Sequence, residues 1–313
     1  MRPTALPNER ILVIKLAALG DIVQAFGPFQ AIRDAHPGAH ITLLTTAPYA
    51  TFLRPSPWFD DVWIDARPKA LDLGGWLRLR QQLRGERFSR VYDLQTSDRS
   101  SAYRRLFWPG QNPEWSGIAK GCSHSHSNPE RDAMHTMDRQ LEQLEMAGIH
   151  AFPDSDLTWL DSESKTPVID GAYALIVPGG SAGRLRKRWP ADRFSALAAR
   201  LVKAGITPVL IGGNADQEAT ALIAAAVPST IDLTGRTTLA DIFALAGPAK
   251  FSVGNDTGPM HLIALAGCST TVLFSNDSDP AICAPRGADV HVIQVPDLQN
   301  LVEEQVWEPL RLS

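Results

Sequence analysis

The segment 251–262 joins an apolar strand to a turn containing Gly and Pro, and then to a helix rich in Ala and Leu. Backbone N–H groups at a helix start have no partner within the helix, and the helix dipole favours a phosphate at the same place. Pro259 fits the first helical turn, where no N–H is needed, and Gly258 lets a ligand approach the backbone closely. The segment therefore predicts a diphosphate-binding site.

Asp256 is the exception within this segment, because a carboxylate repels a bound diphosphate. We expect Asp256 to accept hydrogen bonds from sugar hydroxyls, with the backbone N–H groups of Thr257 and Gly258 facing the phosphates. The alternative is that Asp256 or Thr257 only caps the helix. His261, one turn further on, is a minor binding candidate, and a structural hydrogen bond is its alternative role.

A second candidate anion site lies in the middle of the chain. The sequence Pro-Gly-Gly-Ser at 178–181 supplies backbone donors and the Ser181 hydroxyl, and the basic run 184–188 follows it. A lysine in that run, such as Lys187, supplies a point charge for a phosphate. Together these groups would neutralise a departing diphosphate without a divalent ion. The alternative is an ordinary solvated basic loop.

Asp21 is the candidate general base. It follows an apolar strand and Gly20, which places it at the carboxyl edge of a predicted parallel sheet. A correctly placed base contributes on the order of 10²–10⁴ in rate. Capping of the following helix is the alternative, and the residues alone leave the two near even.

Several basic residues of the first half lie in predicted loops and helix starts, where an anionic substrate could bind. They are Arg67, Lys69, Arg99, Arg104 and Arg105. Ordinary surface charge is the alternative. The predicted helix 74–85 carries Trp76, Leu77, Leu79 and Leu83 between arginines. A core-facing apolar stripe is favoured for this helix over contact with an anionic membrane surface.

Length and composition bound the fold. A chain of 313 residues with 44% hydrophobic residues can bury two cores, which predicts domains at 1–160 and 161–313, with a linker over 151–171. The net charge of −4 gives no reason to expect a nucleic-acid partner. Three cysteines without close pairing suit a reducing compartment, and the absence of an 18-residue apolar run or a signal peptide predicts a soluble cytoplasmic protein.

Short apolar strands alternate with helical stretches, as in parallel α/β sheets. Strands are predicted near 10–16, 40–45, 61–65, 90–94, 114–118, 172–177, 207–211, 230–233, 249–253, 270–274 and 290–293. Helices are predicted near 28–36, 74–85, 98–107, 131–147, 191–204, 215–226, 238–246, 258–266 and 297–311. Pro28 is expected to start or kink the first of these helices. The stretch 111–131 is predicted to be a long exposed loop apart from its strand.

Several sequence motifs are missing. No CxxC or HExxH arrangement occurs, so we expect no metal site. The first strand is not followed by G-x-G-x-x-G, and the chain has no Walker phosphate loop. We therefore expect neither a nicotinamide nor a flavin cofactor.

Three segments, which agree in order and spacing, resemble the lipopolysaccharide heptosyltransferases, the ADP-heptose-dependent branch of glycosyltransferase family 9. The segment 256–261 resembles the D-T-G-x-x-H signature of that family. The stretch 11–21 is similar to its opening strand and S-x-L-G-D turn, with Ala17 and Ala18 where serines are usual. The stretch 178–190 is similar to P-G-A-S and K-R-W-P. The resemblance extends from residue 10 to about residue 287.

The resemblance implies a GT-B fold, in which two Rossmann-like parallel-sheet domains face a central cleft. The C-terminal half would bind the nucleotide sugar and the N-terminal half the acceptor, and the final helix could pack back on the N-terminal domain. The resemblance favours Asp21 as base and selects Lys187 within its basic run. It also places Gly235 and Thr237 beside the nucleotide base.

Gln95 belongs to a strand end that resembles the D-x-Q-G motif of the family, with Thr96 in place of the glycine. The family's H-x-x-x-R helix corresponds to 135–139, for which a structural or interdomain role is expected.

The implied activity is inverting, metal-independent transfer of heptose from ADP-heptose to an anionic lipopolysaccharide inner-core acceptor at the cytoplasmic membrane face. Two alternatives remain. One is a related sugar-nucleotide enzyme with another donor, or a non-hydrolysing epimerase. The other is a catalytically silent protein that binds a sugar nucleotide or a glycan.

Overall fold

A computed structural model of the protein describes residues 9–166, 168–180 and 185–310. The chain divides into two compact units, Met1–Trp159 (unit 1) and Leu160–Ser313 (unit 2). Each unit contains its own parallel sheet and its own hydrophobic core. The acceptor and donor roles assigned to the two halves of the sequence remain predictions.

Unit 1 contains a six-stranded sheet in the order β3-β2-β1-β4-β5-β6, in which every neighbouring pair is parallel. Its strands are β1 (Arg10–Ile14), β2 (His40–Thr45), β3 (Asp61–Ile64), β4 (Arg90–Asp93), β5 (Glu114–Gly117) and β6 (His124–Ser125). Residues 11–14 of the central strand β1 are fully buried. Such continuous apolar runs are typical of parallel strands that are covered on both faces.

In the described part of unit 1, five α-helices form crossover connections between successive strands from β1 to β5, and two more follow β6. They are α1 (Leu19–Val23), α2 (Phe26–Ala35), α3 (Ala47–Leu53), α4 (Leu73–Gly85), α5 (Asp98–Tyr103), α6 (Thr136–Met146) and α7 (Thr158–Glu163), which contains the boundary between the units. Pro28 lies in the first turn of α2, where its missing N–H breaks no helical hydrogen bond. The short helices α1 and α3 were not predicted, since five to seven residues show too little periodicity.

Three sequence predictions for unit 1 need correction. The stretch 111–131 is less exposed than predicted, because it contains β5 and β6 and buries Trp115 and His126. The predicted helix 131–147 begins only at Thr136. In α4, Leu79 and Leu83 form the expected core-facing stripe, whereas Leu77 is exposed.

Unit 2 repeats the arrangement, with a parallel sheet in the order β12-β11-β10-β7-β8-β9. The strands are β7 (Tyr173–Val177), β8 (Thr207–Leu210), β9 (Ile231–Asp232), β10 (Phe251–Asn255), β11 (Thr270–Ser275) and β12 (Val290–Val295). The helices are α8 (Ala191–Lys203), α9 (Gln217–Ala226), α10 (Leu239–Ala246), α11 (Gly258–Leu265), α12 (Pro280–Cys283) and α13 (Glu303–Leu310).

Gly254 in β10 shows how closely the elements of unit 2 approach one another. A Cβ atom at this position would lie 2.7 Å from the Met260 sulfur and 2.7 Å from the Val177 carbonyl oxygen. Only a glycine therefore allows β7, β10 and α11 to meet at this point. The close approach fixes α11 directly beyond the carboxyl end of β10.

One further prediction for the second half changes in the structure. The stretch 151–171 is not simply a linker, because it contains α7, and the Asp241 carboxylate accepts hydrogen bonds from Ser164 Oγ at 3.1 Å and Lys165 N at 2.7 Å. Helix α13 buries Val306 and Leu310 in the core of unit 2. These side chains of α13 therefore contribute to the core of their own unit, and packing of the helix on the N-terminal half stays a prediction.

Candidate functional site

Asp21 lies at the carboxyl edge of the unit 1 sheet, in the first turn of α1. Its Oδ2 atom accepts a hydrogen bond from the Ala18 N–H at 3.0 Å, and Ala18, not Asp21, is the N-cap residue. The Oδ1 atom makes no hydrogen bond to the described residues. Asp21 therefore has one oxygen that holds the helix start and another that is available to a ligand, so both interpretations of the residue are compatible.

Asp21 lines a cavity of about 260 Å³ within unit 1. Three cations share the lining, and they are Lys15, Arg131 and Arg139. Asp132 and Gln95 also contribute to the wall. A small polar cavity in which cations outnumber carboxylates is suited to a polar substrate that carries negative charge.

Burial shifts the pKa values of two of these cations, Lys15 and Arg139. Lys15 is 3% exposed and donates from Nζ to the Leu94 carbonyl at 3.1 Å. Burial lowers the pKa of Lys15, while the nearby Asp21 raises it. Burial and the neighbouring Arg131 lower the pKa of Arg139. These cations are poorly solvated, and an incoming anion would offset the free-energy cost of their desolvation.

Arg131 is the best placed of the three to accept a ligand. Its Nη1 atom pairs with the Asp132 carboxylate at 2.7 Å. Its Nε and Nη2 atoms are buried and have no hydrogen-bond partner among the described residues. Buried donors without a protein partner are costly, and water or the anionic group of a ligand can complete their hydrogen bonding.

The predicted acceptor residues are only partly brought together. Gln95 lines the cavity, but its Oε1 atom accepts from the N–H groups of Leu16 at 2.7 Å and Ala17 at 3.2 Å. Gln95 thus positions the loop before Asp21. Arg67 and Lys69 are exposed after β3 and do not line this cavity.

Arg104 lines a different cavity of unit 1, of about 350 Å³, together with Ser101 and Lys120. It donates from Nη1 to the Lys120 carbonyl at 3.3 Å. Sequence patterns did not identify Lys15 and Arg131, and they gave Arg139 a structural role. A lysine directly after a fully apolar strand was the one available signal for Lys15.

Thr96 occupies the position where the family motif has glycine, and its backbone has a φ of 44°. This left-handed conformation is one that glycine adopts freely and a β-branched residue does not. The Thr96 N–H donates to the Asp93 carboxylate at 3.1 Å. The substitution therefore preserves the backbone shape at an energetic cost.

We expect Thr96→Gly to raise the free energy of unfolding by about 1 kcal/mol, because relief of the left-handed conformation exceeds the greater unfolded-state entropy of glycine. Urea unfolding of the two proteins measures the difference. Thr96→Ala is the matched control, since alanine keeps the Cβ atom and should not stabilise. Equal stability of the Gly and Ala variants would contradict the account.

Asp93 ends β4 beside Ile14 of β1, and its side chain is completely buried. Burial raises the pKa of Asp93 to about 7, although hydrogen bonds from Ser100, Thr96 and Gln95 lower it. Its Oδ2 atom has no hydrogen-bond partner among the described residues. The folded protein therefore keeps this carboxyl group protonated up to a higher pH than the unfolded chain does.

We expect the contribution of Asp93 to the free energy of unfolding to fall as the pH rises from about 4 to about 7, because the folded state retains the Asp93 proton that the unfolded chain has lost. The separation of the two pKa values, 3.8 and about 7, corresponds to about 4 kcal/mol. Asp93→Asn should remove this contribution, and urea unfolding at several pH values compares the variants. Parallel pH profiles of wild type and Asp93→Asn would exclude the assignment.

In unit 2, Asp256 follows β10 and forms a partly enclosed polar cluster. Its Oδ2 atom accepts from Lys187 Nζ at 3.0 Å and from Ser278 Oγ at 2.6 Å. The Lys187 and Asp256 side chains are only 10% and 13% exposed. The candidate phosphate ligand and the candidate sugar ligand are thus ion-paired with each other.

Asn255 connects the loops that carry these groups. Its Oδ1 atom accepts from the Trp189 N–H at 3.0 Å, and its Nδ2 atom donates to the Pro178 carbonyl at 2.8 Å and the Gly179 carbonyl at 3.2 Å. Asn255 is fully buried. The loop after β7 and the loop containing Lys187 are therefore held at the end of β10 by one side chain.

The helix start at Gly258 differs from the simple capping alternative. Thr257 is the N-cap residue of α11, but its side chain makes no capping hydrogen bond. The Asp256 carboxylate is bound to Lys187 and Ser278. The Gly258 N–H donates to none of the described residues, which leaves it available to an anion.

Four further residues were predicted to bind the nucleotide sugar. Gly235 has a φ of 68°, and a Cβ atom there would lie 2.6 Å from Asn214 Oδ1, so glycine is needed for the backbone alone. Thr237 precedes Thr238, the N-cap residue of α10. His261 is buried within α11. Ser181 lies outside the described residues. Roles in nucleotide binding stay predictions for all four.

The described residues contain neither a candidate metal site nor a candidate membrane span. No group of three or more His, Cys, Asp or Glu side chains within 9–166, 168–180 and 185–310 is arranged to hold a metal ion. In the same part of the chain, no helix combines the length and the apolar character that crossing a bilayer requires.

Comparisons with known proteins agree with the predicted family. The model of glycosyltransferase family 9 (heptosyltransferase) matches residues 76–306. The chain is 25% identical over 308 residues to lipopolysaccharide heptosyltransferase 2 of Salmonella typhimurium, covering 91% of this chain and 88% of that protein. It is 22% identical over 327 residues to lipopolysaccharide heptosyltransferase 1 of Escherichia coli, covering 96% and 99%.

Solved structures show the same fold. A glycosyl transferase family 9 protein from Veillonella parvula matches with a TM-score of 0.81 at 23% identity, covering 99% of both chains. The E. coli heptosyltransferase WaaC with ADP matches with a TM-score of 0.77 at 20% identity, covering 97% of this chain and 99% of that one. The predicted GT-B fold class is thereby confirmed, and the family match over most of the chain shows that this protein belongs to glycosyltransferase family 9, the heptosyltransferases.

Proposed function

We propose that the protein transfers heptose from ADP-heptose to an anionic inner-core acceptor of lipopolysaccharide, with inversion at the anomeric carbon and without a metal ion. The observation that carries this proposal is the cavity in which Asp21 stands among Lys15, Arg131 and Arg139. Support comes from the relatives, which are named lipopolysaccharide heptosyltransferases, and from a solved relative with bound ADP-2-deoxy-2-fluoro heptose.

Unit 1 would bind the acceptor. Asp21 Oδ1 would take the proton from the attacking hydroxyl while Oδ2 stays bonded to the Ala18 N–H, so the base is held in place during the reaction. The guanidinium groups of Arg131 and Arg139 would bind a carboxylate or phosphate of the acceptor. Such charge-assisted contacts orient the acceptor without taking part in the chemistry.

Unit 2 would bind the donor. The Lys187 ammonium group and the Gly258 N–H would hold the diphosphate, and Asp256 would accept hydrogen bonds from the sugar. Lys187 and Asp256 neutralise each other across 3.0 Å. A diphosphate would attract Lys187, and the sugar hydroxyls would then replace the lysine as donors to Asp256.

We infer inversion and metal independence from this division of tasks. In a single displacement the base deprotonates the acceptor hydroxyl as the oxygen attacks the anomeric carbon, and the configuration of that carbon inverts. The bond from that carbon to the diphosphate breaks as the new glycosidic bond forms, and Lys187 stabilises the departing charge. We place the reaction in the cytoplasm at the inner membrane, where a lipid-anchored acceptor is accessible.

The proposal is tested by incubating the protein with ADP-heptose and with deacylated inner-core oligosaccharide in the presence of EDTA. We expect a heptosylated product whose anomeric configuration, measured by NMR, is opposite to that of the donor. Parallel reactions with GDP- and UDP-sugars test donor choice. Tight ADP binding without turnover of any donor would instead favour a silent binding protein, and retention of configuration would exclude the mechanism.

A further inference from the structure

Helix α4 has two unlike apolar sides. Leu79 and Leu83 are buried in unit 1, whereas Leu73 and Leu77, one turn apart, are 74% and 59% exposed. Leu71, just before the helix, is 93% exposed. Exposure of several large apolar side chains to water is unfavourable. A contiguous apolar patch of this kind often marks an interaction site.

Arginines continue the same row. Arg80 and Arg84 follow Leu73 and Leu77 at helical spacing, so the four side chains share one side of α4. Segment 66–87 contains six basic and two acidic residues, a net charge of +4, whereas the whole chain has a net charge of −4. The surface is therefore locally cationic on an acidic protein.

The two acidic residues of the segment have structural partners. Asp72 caps α4 by accepting from the Gly75 N–H at 2.8 Å, and Glu86 pairs with Arg10. The arginines of α4 are thus not neutralised by these neighbours. They are therefore available to an anionic partner.

Trp108 extends the surface. It is 74% exposed and follows the short 3₁₀ helix Arg104–Phe107, which packs against α4. Two residues later, a Cβ atom built on Gly110 would lie 3.9 Å from Arg84 Nη2. Trp and Arg together with exposed Leu are the residues that favour a membrane–water interface.

We propose that the α4 surface, formed by Leu71, Leu73, Leu77, Arg80, Arg84 and Trp108, docks on an anionic lipid bilayer. The leucines and Trp108 enter the boundary between headgroups and acyl chains, and the arginines contact lipid phosphates. A cavity of about 440 Å³ lined by Arg84 and Arg87 provides room for a headgroup. A second copy docked symmetrically through the same surface is a poorer partner, because it would bring another segment of charge +4 to the contact.

The position of α4 connects docking to the proposed function, on which this further step rests. The helix starts after β3, at the carboxyl edge of the unit 1 sheet, and Asp21 follows β1 at the same edge. Docking along α4 would bring its first turn, and with it this edge of the sheet, to the membrane surface. A lipid-anchored acceptor would then meet the base without leaving the bilayer.

Vesicle sedimentation tests the docking by itself. We expect the full chain to bind vesicles of phosphatidylcholine mixed with phosphatidylglycerol, and to bind phosphatidylcholine vesicles weakly. Arg80→Gln/Arg84→Gln should weaken the binding about 25-fold, since each cation near such a surface contributes about a factor of five. Lys203→Gln/Lys250→Gln, a pair of exposed lysines in unit 2, is the matched control and should bind as wild type.

Leu73→Ser/Leu77→Ser should also weaken vesicle binding, by about tenfold or more, whereas Leu222→Ser, at an exposed leucine of α9, should not. Transfer to deacylated oligosaccharide should be unchanged in the leucine variants, and transfer to vesicle-embedded acceptor should fall. Equal binding of wild type and both double variants to anionic vesicles would overturn the proposal, as would a concentration-dependent dimer abolished by the leucine changes. Failure of transfer in all proteins with intact vesicle binding would overturn the proposed function alone.

Discussion

Asp21→Asn is expected to lower the transfer rate by about 10²–10⁴ while leaving donor affinity almost unchanged. The proposed role requires a carboxylate that accepts a proton, and an amide cannot do this at neutral pH. Asparagine can still accept the Ala18 N–H bond that Asp21 makes at 3.0 Å, so the start of α1 should persist. Steady-state kinetics with ADP-heptose and calorimetric titration with ADP give the two quantities.

Two variants separate catalysis from structure at this position. Asp21→Ala should lose activity to a similar extent, with up to about 1 kcal/mol of additional loss in stability from the missing helix contact. Asp132→Asn changes the other carboxylate of the same cavity and should reduce the rate far less. A fully active Asp21→Asn enzyme would remove Asp21 from the mechanism.

Lys187→Met is expected to weaken ADP binding, whereas Asp256→Asn is expected not to weaken it. Removal of the Asp256 charge eliminates its repulsion of the diphosphate, so ADP should bind as tightly as in wild type or several-fold more tightly. Removal of Lys187 should weaken ADP binding by about ten- to a hundredfold, because a charge-assisted contact is lost. The rate of transfer should fall in both variants. Asp256 is proposed to bind the sugar, and Lys187 is proposed to stabilise the departing diphosphate.

The alternative explanation, a purely structural ion pair, predicts a different pattern. Lys187→Met leaves the Asp256 carboxylate with Ser278 as its partner, and breaking a buried pair costs about 3–5 kcal/mol. The double variant Lys187→Met/Asp256→Asn should recover much of this stability but not the ADP affinity. Glu304→Gln, which breaks the more exposed pair with Arg200 at 2.5 Å, serves as the control. Unchanged ADP affinity in stable Lys187 variants would assign the pair a structural role.

The residues at the strand ends can be identified from the sequence alone because their positions depend on local rules. Asp21 and Asp256 each follow an apolar strand, and parallel strands bring such positions to one edge of a sheet. Thr96 shows the limit of the same reasoning. The motif indicated a departure from glycine, but only the backbone φ of 44° shows that threonine keeps the left-handed shape.

The acceptor side was harder to predict because its residues come from distant segments. Arg131 precedes α6 and Lys15 follows β1, and nothing in their spacing places them in one cavity with Asp21. Arg67, Lys69 and Arg104 had equal claims on sequence grounds, yet they do not line it. Charge alone indicates that a residue could bind an anion, whereas tertiary packing decides which cations meet.

The sequence by itself determined the alternation of strands and helices, the parallel α/β fold class, the family, and the strand ends where chemistry could occur. These features follow from hydrophobic periodicity and turn residues, which act over a few neighbours in the chain. Only the tertiary structure decided the partners: Lys187 with Asp256, Arg131 and Arg139 with Asp21, and Leu73 and Leu77 left in solvent. Those outcomes depend on burial and on contacts between distant segments, and local sequence patterns do not encode them.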